Sequence, residues 1–312
     1  MKAVVYTKYG APEVLKLTEV AKPIPKKEEV LIKVHAATVT SGDARLRSSD
    51  FPIVLWFIAR LIFALFSPKK KILGHELSGV VEAVGSEVTK FKVGDEVFGT
   101  TTMLKTGSYA TYICLPQQWK SGVLALKPIN LSHTETAALP VGSMTALFLL
   151  EKANPQKGQT IVIHGASGSV GSYAIQIARE LGLKVTGICS TQNIAMVQSL
   201  GAHTVIDYTT EDYTTLNTTF DIVFDAVGKL PKSKSKQLLK RGGKLVSIKM
   251  ITSEKEENLL KIKDLVEKGK LKPWIDKIYT LEEIVEAHTY VDTGRKKGNV
   301  VIAINDSNTV EH

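Results

Sequence analysis

Residues 160–181 read TIVIHGASGSVGSYAIQIAREL, and this stretch decides the fold. A short apolar run, TIVIH, leads straight into glycines. From Val170 onward, Ala174, Ile177, Ala178 and Leu181 fall on one face at helical spacing, and Gly182 is a natural stop. Gly165, Gly168 and Gly171 are spaced G-x-x-G-x-x-G, with Ala166 where the commoner fingerprint has its first glycine. Small residues there let a backbone approach a pyrophosphate. The helix that follows aims its N–H groups and positive dipole end at the anion. A strand–glycine–helix unit of this kind predicts a dinucleotide site.

Outward from that loop the same rhythm continues. Strand-like runs at 184–188, 204–206, 221–224 and 244–248 alternate with a helical run at 193–200, which predicts βαβ units and a parallel sheet. Upstream, residues 29–36 (EVLIKVHA) alternate Val30, Ile32 and Val34 with more polar neighbours. Runs at 2–6, 77–84, 96–100 and 109–115 are further short strands separated by turns, so the first part of the chain predicts a compact barrel. Residues 254–268 and 284–291 read as helices and 299–304 as a closing strand. The predicted class is α/β, a barrel plus a doubly wound sheet.

Composition narrows the function. The 312 residues suit about two domains; 44% are hydrophobic and 23% charged, which excludes disorder and fibrous repeats. Lys and Arg outnumber Asp and Glu 40 to 31, giving +9, so an anionic partner is favoured. The basic residues are scattered and lack interleaved aromatics, so nucleic acid is not the expected partner. Cys114 and Cys189 lie far apart, which excludes a disulfide scaffold and a four-thiolate zinc site. The start, MKAVVYTKYG, shows no charged head followed by an apolar core, so a cytoplasmic location is expected. Residues 51–66 (FPIVLWFIARLIFALF) are apolar but shorter than the roughly 20 residues a spanning helix needs, and they carry Arg60. They are read as a pocket wall, a lid or an interface.

Taken together, GHELSGVVEAVG (74–85), FKVGDEVFG (91–99), AALPVGSMTAL (137–147), HGASGSVG (164–171), FDAVG (224–228), GGKLVSI (242–248) and AHTYVDTGRKKGNVVI (287–302) resemble the medium-chain dehydrogenase/reductase superfamily, in its zinc-free quinone oxidoreductase branch. The resemblance spans nearly the whole chain. It implies a GroES-like catalytic barrel from residues 1–122 and 254–312, and a Rossmann cofactor domain from residues 123–253. It places the pyrophosphate on Ser167, Gly168 and Val170. The adenosine ribose and any 2′-phosphate meet Ser190, Thr191, Asn193 and Tyr208. Thr145, Ala226, Val227 and Ser247 approach the nicotinamide, and Asn299 falls where many relatives have Lys.

The same resemblance makes Ser41, Asp43, Arg45 and His75 the catalytic candidates, in a loop 41–47 over the nicotinamide and in the GHE position. Asp43 and Arg45 either orient the substrate or pair with each other. No Cys accompanies His75, so no metal is expected. At the end of the second strand, residues 189–193 (CSTQN) carry no carboxylate, which favours NADPH, with NADH possible. The implied reaction is metal-independent hydride transfer to a small apolar quinone or an α,β-unsaturated carbonyl, whose conjugation already accepts negative charge. A 2-enoyl thioester reductase, or a non-catalytic cofactor-binding protein with an RNA-binding role, are the alternatives. Only six residues separate Ser247 from residue 254, where relatives in this branch carry a longer insertion with a sixth strand that often pairs across a dimer. The resemblance therefore implies a five-stranded sheet, leaving a monomer or an altered dimer.

Overall fold

The computed structural model describes residues 1–50, 68–101, 106–120, 122–213, 218–250 and 252–304. The apolar stretch 51–66 therefore lies outside the described residues. In chain order the elements begin with β1 (Lys2–Val5), β2 (Lys16–Glu19), β3 (Glu29–Thr38), α1 (Ser41–Ser48), β4 (Glu76–Val84), β5 (Glu96–Thr100), β6 (Tyr112–Pro116), β7 (Leu124–Leu126) and α2 (His133–Ala137). They continue with α3 (Pro140–Ala153), β8 (Thr160–His164), α4 (Ser169–Glu180), β9 (Lys184–Cys189), α5 (Ile194–Ser199), β10 (Thr204–Asp207), β11 (Phe220–Asp225), α6 (Lys232–Gln237), β12 (Leu239–Ser247) and α7 (Glu256–Glu267). The chain closes with β13 (Ile275–Thr280), α8 (Ile284–Asp292) and β14 (Asn299–Ala303).

One unit comprises Met1–Pro140 with Ile275–His312. Its large sheet runs β13-β14-β3-β4-β5-β7, with β6 also on β3; β1 and β2 form a separate pair. The long strand β3 is the axis. Its first half pairs with β6, its last residues with β14, and β4 runs along its other edge. Register shifts at Leu31/Ile32 and Val34/Ala36 let the strand bend enough to serve both partners. The alternating Val30, Ile32 and Val34 pack with Leu77, Val81, Phe91, Val97 and Ile113 in one core. A second core forms under α8, where Ile284, Ala287 and Val291 meet Val4, Ala37 and Ile302.

The other unit is Val141–Trp274. Its sheet is wholly parallel, in the order β10-β9-β8-β11-β12, the doubly wound arrangement. Val162, Ile188, Ile206, Phe220 and Val223 fill its core. The sheet has the five strands expected from the short connection after Ser247, counted among the described residues.

Several expectations need correction. The boundaries placed at 122/123 and 253/254 fall instead at 140/141 and 274/275. Ala137 and Ala138, at the end of α2, pack on Ala36 and Val301, which keeps them with the barrel. Helix α7 stays with the parallel sheet unit, where Lys261 meets Glu151 at 2.8 Å and Gln176 exchanges two bonds with Lys272 just beyond it. The loop expected at 41–47 is helix α1. Strand β12 starts at Leu239, ahead of the run at 244–248. Strands β2, β7 and β13 and helices α2, α3 and α6 are additional elements. Among the described residues, no helix is long and apolar enough to cross a membrane.

Candidate active site

In the parallel sheet unit, β8 ends at His164 and the chain turns through the three glycines into α4. Each glycine answers a different demand. Gly165 sits at φ +78°, and a Cβ there would lie 2.3 Å from Val227 Cγ2. A Cβ on Gly171 would lie 2.2 Å from the Gly165 carbonyl oxygen. Both glycines are required by the turn itself. At Gly168 the nearest atom to an added Cβ is 3.5 Å away, so packing leaves room for a side chain. Gly168 is the N-cap of α4 and no side chain caps the helix. The open space at Gly168 is thus a cradle over the positive helix end, and it fits a pyrophosphate.

The residues predicted around that cradle come together. Asn193 Nδ2 donates to Ser167 Oγ at 3.0 Å and to Ser190 Oγ at 3.2 Å, joining the glycine turn to the end of β9. Among the described residues, Asn193 Oδ1 is buried without a hydrogen-bond partner. Val170 lies in the first turn of α4. Tyr208 is 54% exposed and borders a shallow depression lined by residues 208–213. Thr191 joins this rim through a residue the sequence reading missed. Its hydroxyl donates to Asp207 Oδ2 at 2.5 Å, and the Thr209 hydroxyl and N–H donate to Asp207 Oδ1. These bonds, the Thr191 hydroxyl first, hold the Asp207 carboxyl below its ordinary range. A carboxylate does therefore stand at the end of the second strand, delivered by the third, in register opposite Cys189.

A second missed residue organises the ends of β11 and β12. Asp225 is buried and accepts from the backbone N–H groups of Val227 and Gly228 (3.2 and 2.9 Å) and from the Ser247 hydroxyl (3.2 Å). His164 Nδ1 lies 3.0 Å from its Oδ1. Burial alone would raise its pKa, but the His164 contact and the N–H donors win and hold it low. Ala226, Val227 and Ser247 are thereby fixed at the carboxyl ends of the strands, where open α/β sheets bind ligands. Thr145 is half-buried on α3. The signal for Asp225 was its place at the end of an apolar strand, just before Ala-Val-Gly.

In the barrel unit, helix geometry separates the catalytic candidates. Ser41 and Arg45, four apart on α1, share the exposed face. Asp43 and Arg47 share the buried one. Asp43 Oδ2 accepts from the N–H and hydroxyl of Thr40 (3.0 and 2.6 Å), and its Oδ1 from Gly74 N–H at 3.1 Å. The pairing of Asp43 with Arg45 gives way to this arrangement. Asp43 caps α1 and ties it to the residue before His75. Arg47, which the sequence reading passed over, reaches Asp292 of α8 at 2.6 Å.

His75 is half-buried at the head of β4, and its carbonyl accepts from Thr101 N–H at 2.7 Å. Glu76 is buried and accepts from the Thr38 hydroxyl. Lys70 donates to Thr101 Oγ1 at 3.3 Å, which in turn donates to the Gly74 carbonyl at 3.0 Å. Asn299 is buried at the head of β14. Both Asp43 oxygens and one Glu76 oxygen are engaged, and among the described residues no three of His, Cys, Asp and Glu gather as a metal-binding group. Burial pushes the thiols of Cys114 and Cys189 up to about 11, so neither is a nucleophile near neutral pH.

The comparisons with known proteins bear on this geometry. Residues 26–127 match the family model for the alcohol dehydrogenase GroES-like domain. Residues 169–271 match that of the zinc-binding dehydrogenases. The chain is 37% identical to the 2-methylene-furan-3-one reductase of Solanum lycopersicum, covering 97% of this chain and 79% of that one. It is 33% identical to the NADPH-dependent alkenal/one oxidoreductase, chloroplastic, of Arabidopsis thaliana, at the same coverages. Among solved structures, the quinone oxidoreductase from Coxiella burnetii superposes with a TM-score of 0.84 at 30% identity, covering 97% of this chain and 99% of that one.

Proposed function

This chain belongs to the medium-chain dehydrogenase/reductase superfamily, in its quinone oxidoreductase branch, and from that premise we propose that it is an NADPH-dependent, zinc-independent reductase of quinones or α,β-unsaturated carbonyls. The observation that carries the reading is the cradle at Gly168, open over an uncapped helix start in a turn whose other glycines are dictated by packing. Relatives named for reduction of a methylene-furanone and of alkenals and enones support the acceptor class.

When bound, the reduced nicotinamide supplies a hydride. The chain's own residues do the rest. Ser167, Gly168 and Val170 take the pyrophosphate. Ser190, Asn193, Thr191 and Tyr208 take the adenosine ribose and its 2′-phosphate; hydroxyl and amide donors there favour NADPH, and the Asp207 carboxylate is already engaged by Thr191 and Thr209. Ala226, Val227 and Ser247, locked by Asp225, hold the nicotinamide end, with Thr145 and Asn299 as further contacts. In the barrel unit, Ser41 and Arg45 present exposed polar groups, His75 lines the site, and Asp43 positions both α1 and His75. A conjugated acceptor takes up charge without a Lewis acid, which supports the zinc-independent reading.

The test is oxidation of NADPH and of NADH against a quinone panel and an enone panel, with and without chelator. Chelator-insensitive turnover with NADPH is the expected result. Turnover abolished by chelator and restored by zinc would refute zinc independence, and equal use of NADH would refute the cofactor preference.

A further inference from the structure

The end of the barrel unit that carries His75 also holds a cation that the reading above leaves unused. Lys296 leads into β14. Strand β14 lies antiparallel on β3, with Val301 opposite Thr38, and β3 lies antiparallel on β4, with Ala37 opposite Leu77. Lys296, Thr38 and Glu76 therefore reach the same end of three adjacent strands, beside His75. Lys296 Nζ donates to the Gly298 carbonyl at 2.7 Å. Among the described residues this is its one hydrogen-bond acceptor. Two carboxylates influence it electrostatically. Glu76 of β4 is buried on the Thr38 hydroxyl, and Asp276 of β13 accepts from the Tyr290 hydroxyl (2.6 Å) and Lys297 N–H (2.8 Å). Lys277, over the Tyr290 ring at 4.1 Å, is the other cation near that group.

Lys296 is half-buried, and an ammonium carries three donors, so this one can donate to a ligand that reaches it while keeping the Gly298 carbonyl. Burial drives the Lys296 pKa down to about 8, with Glu76 and Asp276 opposing the shift. A group poised in that range can both carry a proton near neutral pH and release it.

We propose that Lys296 donates a hydrogen bond, and then its proton, to the carbonyl oxygen of the enone or quinone acceptor. The proposal rests on the reductase reading. For an enone, the β-carbon receives hydride from the reduced nicotinamide, which is thereby oxidised. The C=C electron pair shifts to leave charge on the carbonyl oxygen. The N–H bond of Lys296 breaks and an O–H bond forms; the enol relaxes to the ketone, and the neutral amine recovers a proton from water. One hydride and one proton are consumed per acceptor reduced.

The test uses the full chain and the variants K296M and K296R, with folding checked by thermal unfolding. In cofactor-free protein, the rate at which a sub-stoichiometric amine reagent modifies Lys296, read by peptide mass spectrometry against pH, rises with a midpoint near 8. A saturated cyclic ketone slows that modification. K296M lowers kcat/KM at least 100-fold while the Kd for NADPH changes less than threefold. Wild-type kcat/KM falls above about pH 8, and K296R, which can hold the hydrogen bond but cannot release its proton, loses that limb together with most of the activity. A wild-type enzyme that turns over with K296M within threefold of it, or an amine that titrates near its ordinary value, would overturn the assignment alone. No turnover by wild type with either panel would overturn both this assignment and the reductase reading.

Discussion

At Gly168 the demand for glycine comes from the ligand and at Gly165 and Gly171 from the turn, and the two demands separate by mutation. Gly168→Ala has an unstrained φ and free space, so thermal stability stays within about 0.5 kcal/mol of wild type. The added methyl occupies the cradle, so the Kd for NADPH rises at least tenfold, measured by nucleotide fluorescence titration. Gly171→Ala should lose stability before any ligand is added. His288 is a second residue-scale case. It falls within the apolar stripe Ile284, Ala287, Val291 of α8, and both ring nitrogens are buried without hydrogen-bond partners among the described residues. Burial first, then the Arg47 charge, pushes its pKa down to about 3. The folded pKa lies below the unfolded one, near 6.5, so between these values only the unfolded chain takes up the proton. Stability from this group is present above about pH 6.5 and lost as pH falls toward 3. Urea unfolding should show wild type losing about 2 kcal/mol more than His288→Leu between pH 6.5 and 5.

Helix α1 is the clearest lesson at the element scale. Residues 41–48 (SGDARLRS) carry no apolar stripe, so hydrophobic periodicity passes over them. What makes the helix is its cap. Thr40 Oγ1 accepts from Asp43 N–H at 3.0 Å while the Asp43 carboxylate accepts from Thr40 N–H. The Thr-x-x-Asp spacing was visible in the chain as a local signal. The further bond from Gly74 N–H, 31 residues away, was not. Thr40→Ala should cost about 1 kcal/mol by chemical denaturation. Asp43→Ala should cost more than Thr40→Ala, because it also strands the buried Gly74 N–H beside His75. Equal losses would mean that the Gly74 bond contributes nothing.

At the scale of the molecule, the parallel sheet ends at β12, whose outer edge has no neighbouring strand among the described residues. Arg241, Lys244 and Lys249 are exposed there. Antiparallel pairing of β12 with a second copy would bring like charges close together, a common defence of edge strands. No dimer through β12 is expected. Hydrogen exchange at the β12 backbone should be unchanged by a 100-fold dilution, and light scattering should show either one chain or a dimer joined elsewhere. Concentration-dependent protection confined to β12 would refute this.

Periodicity and turn chemistry act over a few residues, so the chain itself determined the alternating barrel strands, the βαβ rhythm and the glycine turn. Ser167, Ser190 and Asn193, proposed for the cofactor, were singled out by the resemblance to the family, and the structure joins them through the Asn193 amide. Only the tertiary structure decided which charged groups meet. Arg47 and Asp292 are 245 residues apart, Asp225 draws in His164 from 61 residues away, Asp207 reaches the β9 end from the neighbouring strand, and Lys296 arrives beside His75 through strand pairing. Charge acts through space and through burial, and neither distance nor desolvation is written in local spacing.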